Sequence, residues 1–364
     1  MKVLFCDLLF QRGNRHIDTR VMDILAGKNE VYVLSSEDHL VGKLFNKSNI
    51  HFLGNKYSEN PQGKVSYMVQ IIKRMILTAQ NAKRLKPDVI YISVYETRVF
   101  PIGYLFFDHQ SKRKIVLLEN NNIDLLSNSI HRAMYKLFAK KVHHIVYENF
   151  FGEYLNNVFG ISKQKIHMVP HIQYRSEVSD VNSIDKSDDK IFDCICISSS
   201  NDDEVIGRMI EYEKETSFFR ENEISCRIKS KKHLYNDEYL VVDNKFFSND
   251  EYNELYANCK CVLIPFPEGY NFRMSGSIID AVSHHKRMVT TNFTLARKYS
   301  EEYKGIISIG SNIEELFMAI LKNCKDYEEC TKSFIQFEKD RSEAQVSIKL
   351  EEMLQIVGNG GVAK

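Results

Sequence analysis

Arg273 stands two residues before Ser275-Gly276-Ser277, and the group follows the apolar run CKCVLIPF. Two hydroxyl residues flanking a glycine read as a helix start. Ser275 suits the cap, Gly276 has no Cβ to bar an approaching ligand, and the first backbone N–H groups of any helix lack intrahelical acceptors. Open N–H groups at the positive end of a helix dipole, with two hydroxyls and a guanidinium able to make a bidentate contact, suit a phosphate. An ordinary N-cap beside a surface arginine would use the same residues.

The elements that must position these residues alternate along the whole chain. Short runs rich in Val, Ile, Phe and Tyr (KVLFCDLL, EVYVLSS, NIHFLG, DVIYISVY, KIVLLEN, HHIVYEN, KIHMVP) are interleaved with helical stretches at 17–25, 65–85, 129–139 and 150–158. The rhythm stops at 175–190, a polar Ser/Asp-rich segment that reads as a linker. It resumes with FDCICISS, EISCRIKS, YLVVDN, CKCVLIPF, RMVTTN and GIISIG, with helical stretches at 203–215, 250–257, 276–283, 313–324 and 326–336. This predicts two facing Rossmann-like doubly wound α/β domains, 1–178 and 179–340, followed by a C-terminal helix and tail at 341–364. In such sheets ligands bind beyond the carboxyl ends of the strands, so the residues after each strand matter most.

The segment 265–292 resembles the donor-site region of GT-B glycosyltransferases, in particular the retaining family-4-like enzymes of bacterial surface-polysaccharide synthesis. The matching pieces are LIPF, Glu268-Gly269-Tyr270, SGSIIDAV and KRMVTT. The resemblance implies that Ser275, Gly276 and Ser277 contact the nucleotide diphosphate and that Asp280 takes the place of the acid that binds the ribose. The family's Glu-x7-Glu spacing is broken: Phe272 stands eight residues before Asp280, and Glu268 lies four residues earlier still. Arg273 is then the substitute anchor, and the catalytic cation for the leaving diphosphate.

The same resemblance implies further contacts. Ser199 and Ser200, in ISSSNDDE, fall in the small-residue loop near the donor phosphates, and RIKSKK offers Lys229 or Lys231, of which Lys231 is the preferred candidate, although a solvated charge run is the leading reading of the segment. Phe246-Phe247 precede SNDEYNELYANC as the base-binding loop precedes its helix, which makes Phe247 a base contact or a core residue. On the acceptor side, FQRGNRHIDTR offers Gly13, Asn14 and His16, the last as a general base, a sugar hydrogen-bond partner or a surface residue. In ENNNID, Glu119 (catalytic) and Asn120 (acceptor-side) join a carboxylate to amides, a combination suited to sugar hydroxyls or to an Asn-rich turn. His171, in KIHMVPHI, marks the hinge.

Composition narrows the function classes. With 364 residues, 43% hydrophobic and 27% charged, the chain is neither disordered, collagenous nor a coiled coil. No run reaches the ~20 apolar residues of a membrane span, and MKVLFCDLLF, soon followed by Gln11, Arg12 and Arg15, reads as a first strand rather than a signal peptide. Cys194/Cys196 and Cys259/Cys261 are C-x-C pairs in apolar runs, which read as buried thiols, not metal ligands. Residues 1–178 hold 25 Lys+Arg and 15 Asp+Glu, leaving 24 and 33 for the rest. The basic half, with Lys73, Arg74, Lys83, Arg84 and Lys86 along 65–86, suits an anionic membrane carrying a lipid-linked acceptor. No nucleic-acid motif accompanies that charge.

The expectation is a cytoplasmic glycosyltransferase, peripheral on the inner face of the membrane. It would move a sugar from a nucleotide diphosphate, UDP favoured, to a glycan or lipid-linked acceptor. No cofactor or metal is expected, since there is no Asp-x-Asp and fixed cations with a helix dipole meet the leaving charge. Retention of configuration is what the likeness to family 4 implies. A nucleotide-sugar epimerase and a non-catalytic glycosyltransferase-like subunit are the alternatives.

Overall fold

The runs VIYISV (Val89–Val94), IVLL (Ile115–Leu118) and CVLI (Cys261–Ile264) are buried at every position. Strands buried on both faces belong to parallel sheets covered by helices. The computed structural model, which describes residues 1–9, 15–35, 47–54, 63–173, 191–325 and 330–360, shows two such sheets in two compact units, Met1–Ile172 with Arg341–Lys364 and Gln173–Asp340.

In the first unit β1 (Lys2–Asp7), β2 (Glu30–Leu34), β3 (Ile50–Phe52), β4 (Val89–Val94), β5 (Ile115–Leu118), β6 (His143–Val146) and β7 (Ile166–Met168) pair in parallel in the order β3-β2-β1-β4-β5-β6-β7. The helices are α1 (Arg15–Ala26), α2 (Lys64–Leu85), α3 (Phe100–Tyr104), α4 (His109–Lys112), α5 (Asn122–Leu125), α6 (Ser129–Lys136) and α7 (Asn149–Phe159). The chain order reverses between β1 and β4, so the loops after these strands form the switch point where doubly wound sheets take ligands. Helix α2 turns Ile71, Met75, Thr78, Ala79 and Ala82 inward, the spacing of a helix covering a sheet. A Cβ at Gly103 would sit 2.1 Å from Met75 Sδ, so glycine is what lets α3 lie this close to α2.

The second unit repeats the plan. Its strands are β8 (Cys194–Cys196), β9 (Cys226–Lys229), β10 (Tyr235–Asn236), β11 (Leu240–Asp243), β12 (Cys261–Ile264), β13 (Arg287–Thr291) and β14 (Ile307–Gly310), in the order β10-β11-β9-β8-β12-β13-β14. All pairs are parallel except β10 with β11. The switch point lies between β8 and β12. Around the sheet run α8 (Asp203–Thr216), α9 (Phe218–Glu221), α10 (Asn249–Asn258), α11 (Gly276–Ser283), α12 (Thr294–Glu302), α13 (Ile313–Lys325) and α14 (Thr331–Asp340). The core joins Val205, Ile206 and Met209 of α8 with Leu316, Phe317 and Ile320 of α13, and Cys194, Cys196, Cys226 and Cys261 pack among them as small apolar groups.

Several expectations change. The last helix, α15 (Glu343–Gly358), does not stand apart: it belongs to the first unit, with Val346, Leu350, Met353, Leu354 and Val357 buried. The buried Arg341 guanidinium, bonded to Glu148 at 2.6 Å, anchors the approach to it. The linker read at 175–190 and the boundary at 178 lie outside the described residues. The helix expected at 326–336 runs over Thr331–Asp340 instead. Helix α12 was not foreseen because TLARKYSEE buries only Leu295, Ala296 and Tyr299 between polar residues. On α2, Arg74 is not on a basic outer face: it is buried and donates from Nη1 to the Leu8 carbonyl at 2.8 Å, holding the loop after β1.

Candidate functional site

The second unit's site starts from two loops at its switch point. The Asp202 N–H donates to the Pro265 carbonyl at 2.8 Å, tying the loop after β8 to the end of β12. The Asn201 amide donates to the carbonyls of Cys196 and Lys229, at 3.1 and 2.9 Å, and so spans β8 and β9. Past β12, Asn271 pins its loop by donating to the Glu268 carbonyl and accepting from the Thr294 N–H and hydroxyl. These bonds fix the frame on which α11 begins.

Ser275 caps α11, its Oγ accepting from the Ile278 N–H at 3.3 Å, and is buried. Its hydroxyl therefore serves the helix first. Gly276 is exposed, and a Cβ there would meet nothing within 4 Å, so the helix start is open on that side. The N–H groups of Gly276 and Ser277 find no acceptor among the described residues, as expected for the first turn of a helix. Arg273 stacks its guanidinium over the Tyr270 ring, 4.6 Å from the centroid, and the buried Tyr270 donates its hydroxyl to the Met274 carbonyl at 3.0 Å. The sequence reading did not single out Tyr270 as the support for Arg273. The signal was the spacing: an aromatic three residues before a cation in one loop.

The other donor-side residues divide. Asp280 is half-buried and its Oδ2 accepts from the Tyr252 hydroxyl of α10 at 2.8 Å; burial raises its pKa despite that bond and the nearby His284. Glu268 is exposed. Ser199 and Ser200 are exposed in the loop after β8. Lys231 is exposed, with its backbone N–H donating to Asp203 Oδ1, and the acidic start of α8 thus organises this loop.

Lys229, at the end of β9, has its Nζ 3.8 Å from the Phe246 ring centroid. That lysine is buried, which lowers its pKa, while Phe246 is 78% exposed. Phe247 is instead held against Arg227. The aromatic and cation presented together are thus Phe246 and Lys229, not Phe247 and Lys231: neighbouring rings leave the chain on opposite sides, and Phe247 is taken up by Arg227.

In the first unit the structure corrects the role read for Glu119. This residue is fully buried. Its carboxylate accepts from Tyr95 at 2.8 and 2.9 Å and from Tyr135 at 3.0 Å, and lies 2.7 Å from His144 Nδ1. His144 Nε2 in turn donates to the Ala139 carbonyl at 2.8 Å. Burial and the adjacent Glu119 push both tyrosine hydroxyls well above their ordinary pKa. Glu119 holds together the strands and helices under the site rather than meeting a substrate. Asn120 is half-buried beside it, His16 is exposed on α1, and Gly13 and Asn14 lie outside the described residues. His171, read as the hinge, is buried at the end of the first unit, and burial lowers its pKa to about 4.

What the sequence reading missed is Glu96, which follows β4 at the switch point. Arg98 clamps it through Nε at 2.8 Å and Nη2 at 3.2 Å, and His131 Nε2 lies 3.7 Å away. Burial pushes the Glu96 carboxyl up, but Arg98, with His131, outweighs it and holds the carboxyl below the usual range. Asn122 braces the same loop, donating to the Tyr95 carbonyl and the Thr97 hydroxyl. The rule of inspecting residues after each strand reaches Glu96 and Arg98 directly, in VYETRVF.

No family model matches the chain, and neither does any curated protein. Solved structures do. An α,α-trehalose-phosphate synthase (UDP-forming) from Burkholderia vietnamiensis matches at 9% identity and a TM-score of 0.65, over 98% of this chain and 100% of that one. The lipopolysaccharide outer core galactosyltransferase WaaB matches at 10% and 0.61, over 98% and 99%. Anabaena Alr3699/HepE, in complex with UDP and glucose, matches at 12% and 0.60, over 98% and 99%. The chain has the GT-B fold. At these identities the likeness is one of fold. Within the GT-B fold, Gly276 and Arg273 occupy the carboxyl edge of the second Rossmann-like domain, and Glu96 and Arg98 that of the first.

Proposed function

We propose that the chain is a glycosyltransferase that moves a sugar from a nucleotide-diphosphate donor, a UDP-sugar by preference, to a glycan or lipid-linked acceptor of a cell-surface polysaccharide. The observation that carries this reading is the open start of α11 at Gly276 beside the stacked Arg273, at the switch point of the second domain of a GT-B fold. UDP is favoured because the B. vietnamiensis neighbour is UDP-forming and the Anabaena neighbour was solved with UDP and glucose.

In the transfer, the bond from the sugar C1 to the diphosphate oxygen breaks, a bond to the acceptor hydroxyl oxygen forms, and the hydroxyl proton passes to the leaving diphosphate. Negative charge grows on the leaving diphosphate. In this reading Arg273 and the N–H groups of Gly276 and Ser277 meet that charge, and preorganised donors of this kind do most where charge develops. No metal or other cofactor is called on in this reading. Ser199, Ser200 and Lys231 line the approach, Asp280 serves the ribose, and Phe246 with Lys229 serves the base. On the first domain the Glu96–Arg98 pair offers a carboxylate and a guanidinium to sugar hydroxyls, with Asn120 and His16 following the strands that flank β4. Among the described residues no helix is long and apolar enough to cross a membrane. A peripheral position on the cytoplasmic face remains part of the proposal.

The test is ligand-observed NMR with UDP, GDP, ADP and CMP and their sugars, in the presence and absence of EDTA, on the native chain and Arg273→Ala. Selective binding of one nucleotide, lost in the variant and indifferent to EDTA, is the expected result. Binding of none would remove the donor site.

A further inference from the structure

Helix α6 carries Ile130 and Met134, and with Leu137 at its C-cap these stand at i, i+4 and i+7, one stripe on a helix whose buried residue is Tyr135. That stripe does not close on the core. Ile130 and Leu137 are 61% and 54% exposed, and Leu105 and Phe106, just after the neighbouring α3, are 72% and 53% exposed. With Ile102 and Leu125, six of the fifteen large exposed apolar side chains among the described residues fall between 102 and 137. Exposed apolar side chains at two adjoining helices, α3 and α6, mark a place that something covers.

Ile102, Leu105, Met134 and Leu137 line a groove of about 810 Å³. Lys112, Arg113, Lys140, Lys141 and Lys165 line it too, and no acidic residue does. None of these five cations forms an ion pair with a carboxylate among the described residues. Lys165 is partly desolvated, which lowers its pKa. The cations precede β5, β6 and β7, three neighbouring parallel strands, and so gather at the amino-terminal edge of the sheet. The candidate site uses the carboxyl edge. The groove is therefore a separate surface from the candidate site, and no residue of α2 lines it.

We propose that this groove docks the first domain on an anionic lipid bilayer, with Leu105, Phe106, Ile130 and Leu137 entering the interface and the five cations meeting lipid phosphates. Charge complementarity selects this occupant. Apolar side chains ringed by cations of one sign match a surface that is apolar beneath and uniformly anionic above. A protein partner is disfavoured by the abundance of lysine, which interfaces avoid. The inference deepens the membrane part of the proposed function and is independent of its transfer chemistry, because the test reads only partitioning.

The test is flotation of the full chain with phosphatidylcholine vesicles, with and without about one third phosphatidylglycerol. Phosphatidylglycerol-dependent flotation that weakens with salt is expected. Each cation near such a surface contributes about fivefold, so the combined Lys112→Gln, Lys140→Gln and Lys141→Gln variant should partition roughly 100-fold less. Leu105→Asp with Leu137→Asp should also release the chain. All five side chains are at least partly solvent-exposed, and an unchanged thermal melt verifies the fold of each variant. Absence of phosphatidylglycerol dependence overturns the proposal, as does flotation that survives both sets of substitutions. Capture of an acidic amphipathic peptide without vesicle binding would replace the bilayer with a protein partner and likewise overturn it.

Discussion

The Arg273 guanidinium rests on the Tyr270 ring at 4.6 Å, and the Tyr270 hydroxyl is itself tied to the backbone of Met274. A flexible cation is thereby turned into a fixed one, which is the form in which charge stabilisation costs no reorganisation. Arg273→Ala should lower turnover by at least ~10-fold with an unchanged melt. Tyr270→Phe keeps the stacking face and should cost little, whereas Tyr270→Leu should lower kcat by roughly 3- to 30-fold, the range of a cation–aromatic contact. If Tyr270→Leu leaves kcat unchanged, the stacking plays no part in catalysis.

Phe246 and Lys229 give a second expectation. An exposed ring lying over a buried lysine offers a stacking face to a base, while Phe247 is occupied by Arg227. Phe246→Ala should weaken nucleotide binding by about 10-fold or more, the scale of a base–aromatic stack, and Phe247→Ala should affect melting more than binding. Titration calorimetry with the preferred nucleotide separates the two. Equal loss in both variants would mean that the loop as a whole matters and not the exposed ring.

Glu119 tests structure against catalysis. Glu119→Ala would remove the buried carboxylate that Tyr95, Tyr135 and His144 all contact, leaving only the 3.3 Å contact between Tyr135 and His144 Nδ1 among the three. Losing one member of a buried charged network costs about 3–5 kcal/mol, so urea denaturation should show a destabilisation of that order. Activity measured well below the melting temperature should largely survive. A variant of native stability without activity would restore Glu119 to the catalytic machinery.

The fold was legible because its signals are local and repeated. Runs such as VIYISV and CVLI admit few readings other than buried strands, and their alternation with helices implies parallel order. Much less of the site was legible. SGS beside Arg273 could be read because a helix start has a chemical signature, but Glu119 looked catalytic by its place after β5 and proved to be sealed in by Tyr95 and Tyr135, residues 24 and 16 positions away. Burial of a carboxylate depends on such distant partners. The choice between Phe246 and Phe247 likewise turned on which side of a strand exit each ring leaves, and no composition rule carries that.

Stability should fall in mild acid, through His143 and His167. Their rings stack, with Nδ1 of one 3.0 Å from Nε2 of the other, a spacing that holds one proton between them and not two. Burial lowers both, His143 to about 3 and His167 to about 4 from an ordinary 6.5, and each feels neighbouring positive charge as well. Below 6.5 the unfolded chain binds protons that the folded chain refuses, so the stabilisation present above that pH is lost as pH falls towards 4 and 3. The carboxylates held low, Glu96 and Asp193 among them, lose their contribution only below their ordinary 4.5 and 3.8. A decline in unfolding free energy between about pH 7 and pH 5 therefore belongs to the buried histidines, this pair together with His171, which burial lowers to about 4. Urea titrations across that range should show it, with the two imidazole resonances of the folded protein not titrating. A flat profile, or rings that titrate near 6.5 in the folded state, would mean that the pair is open to water.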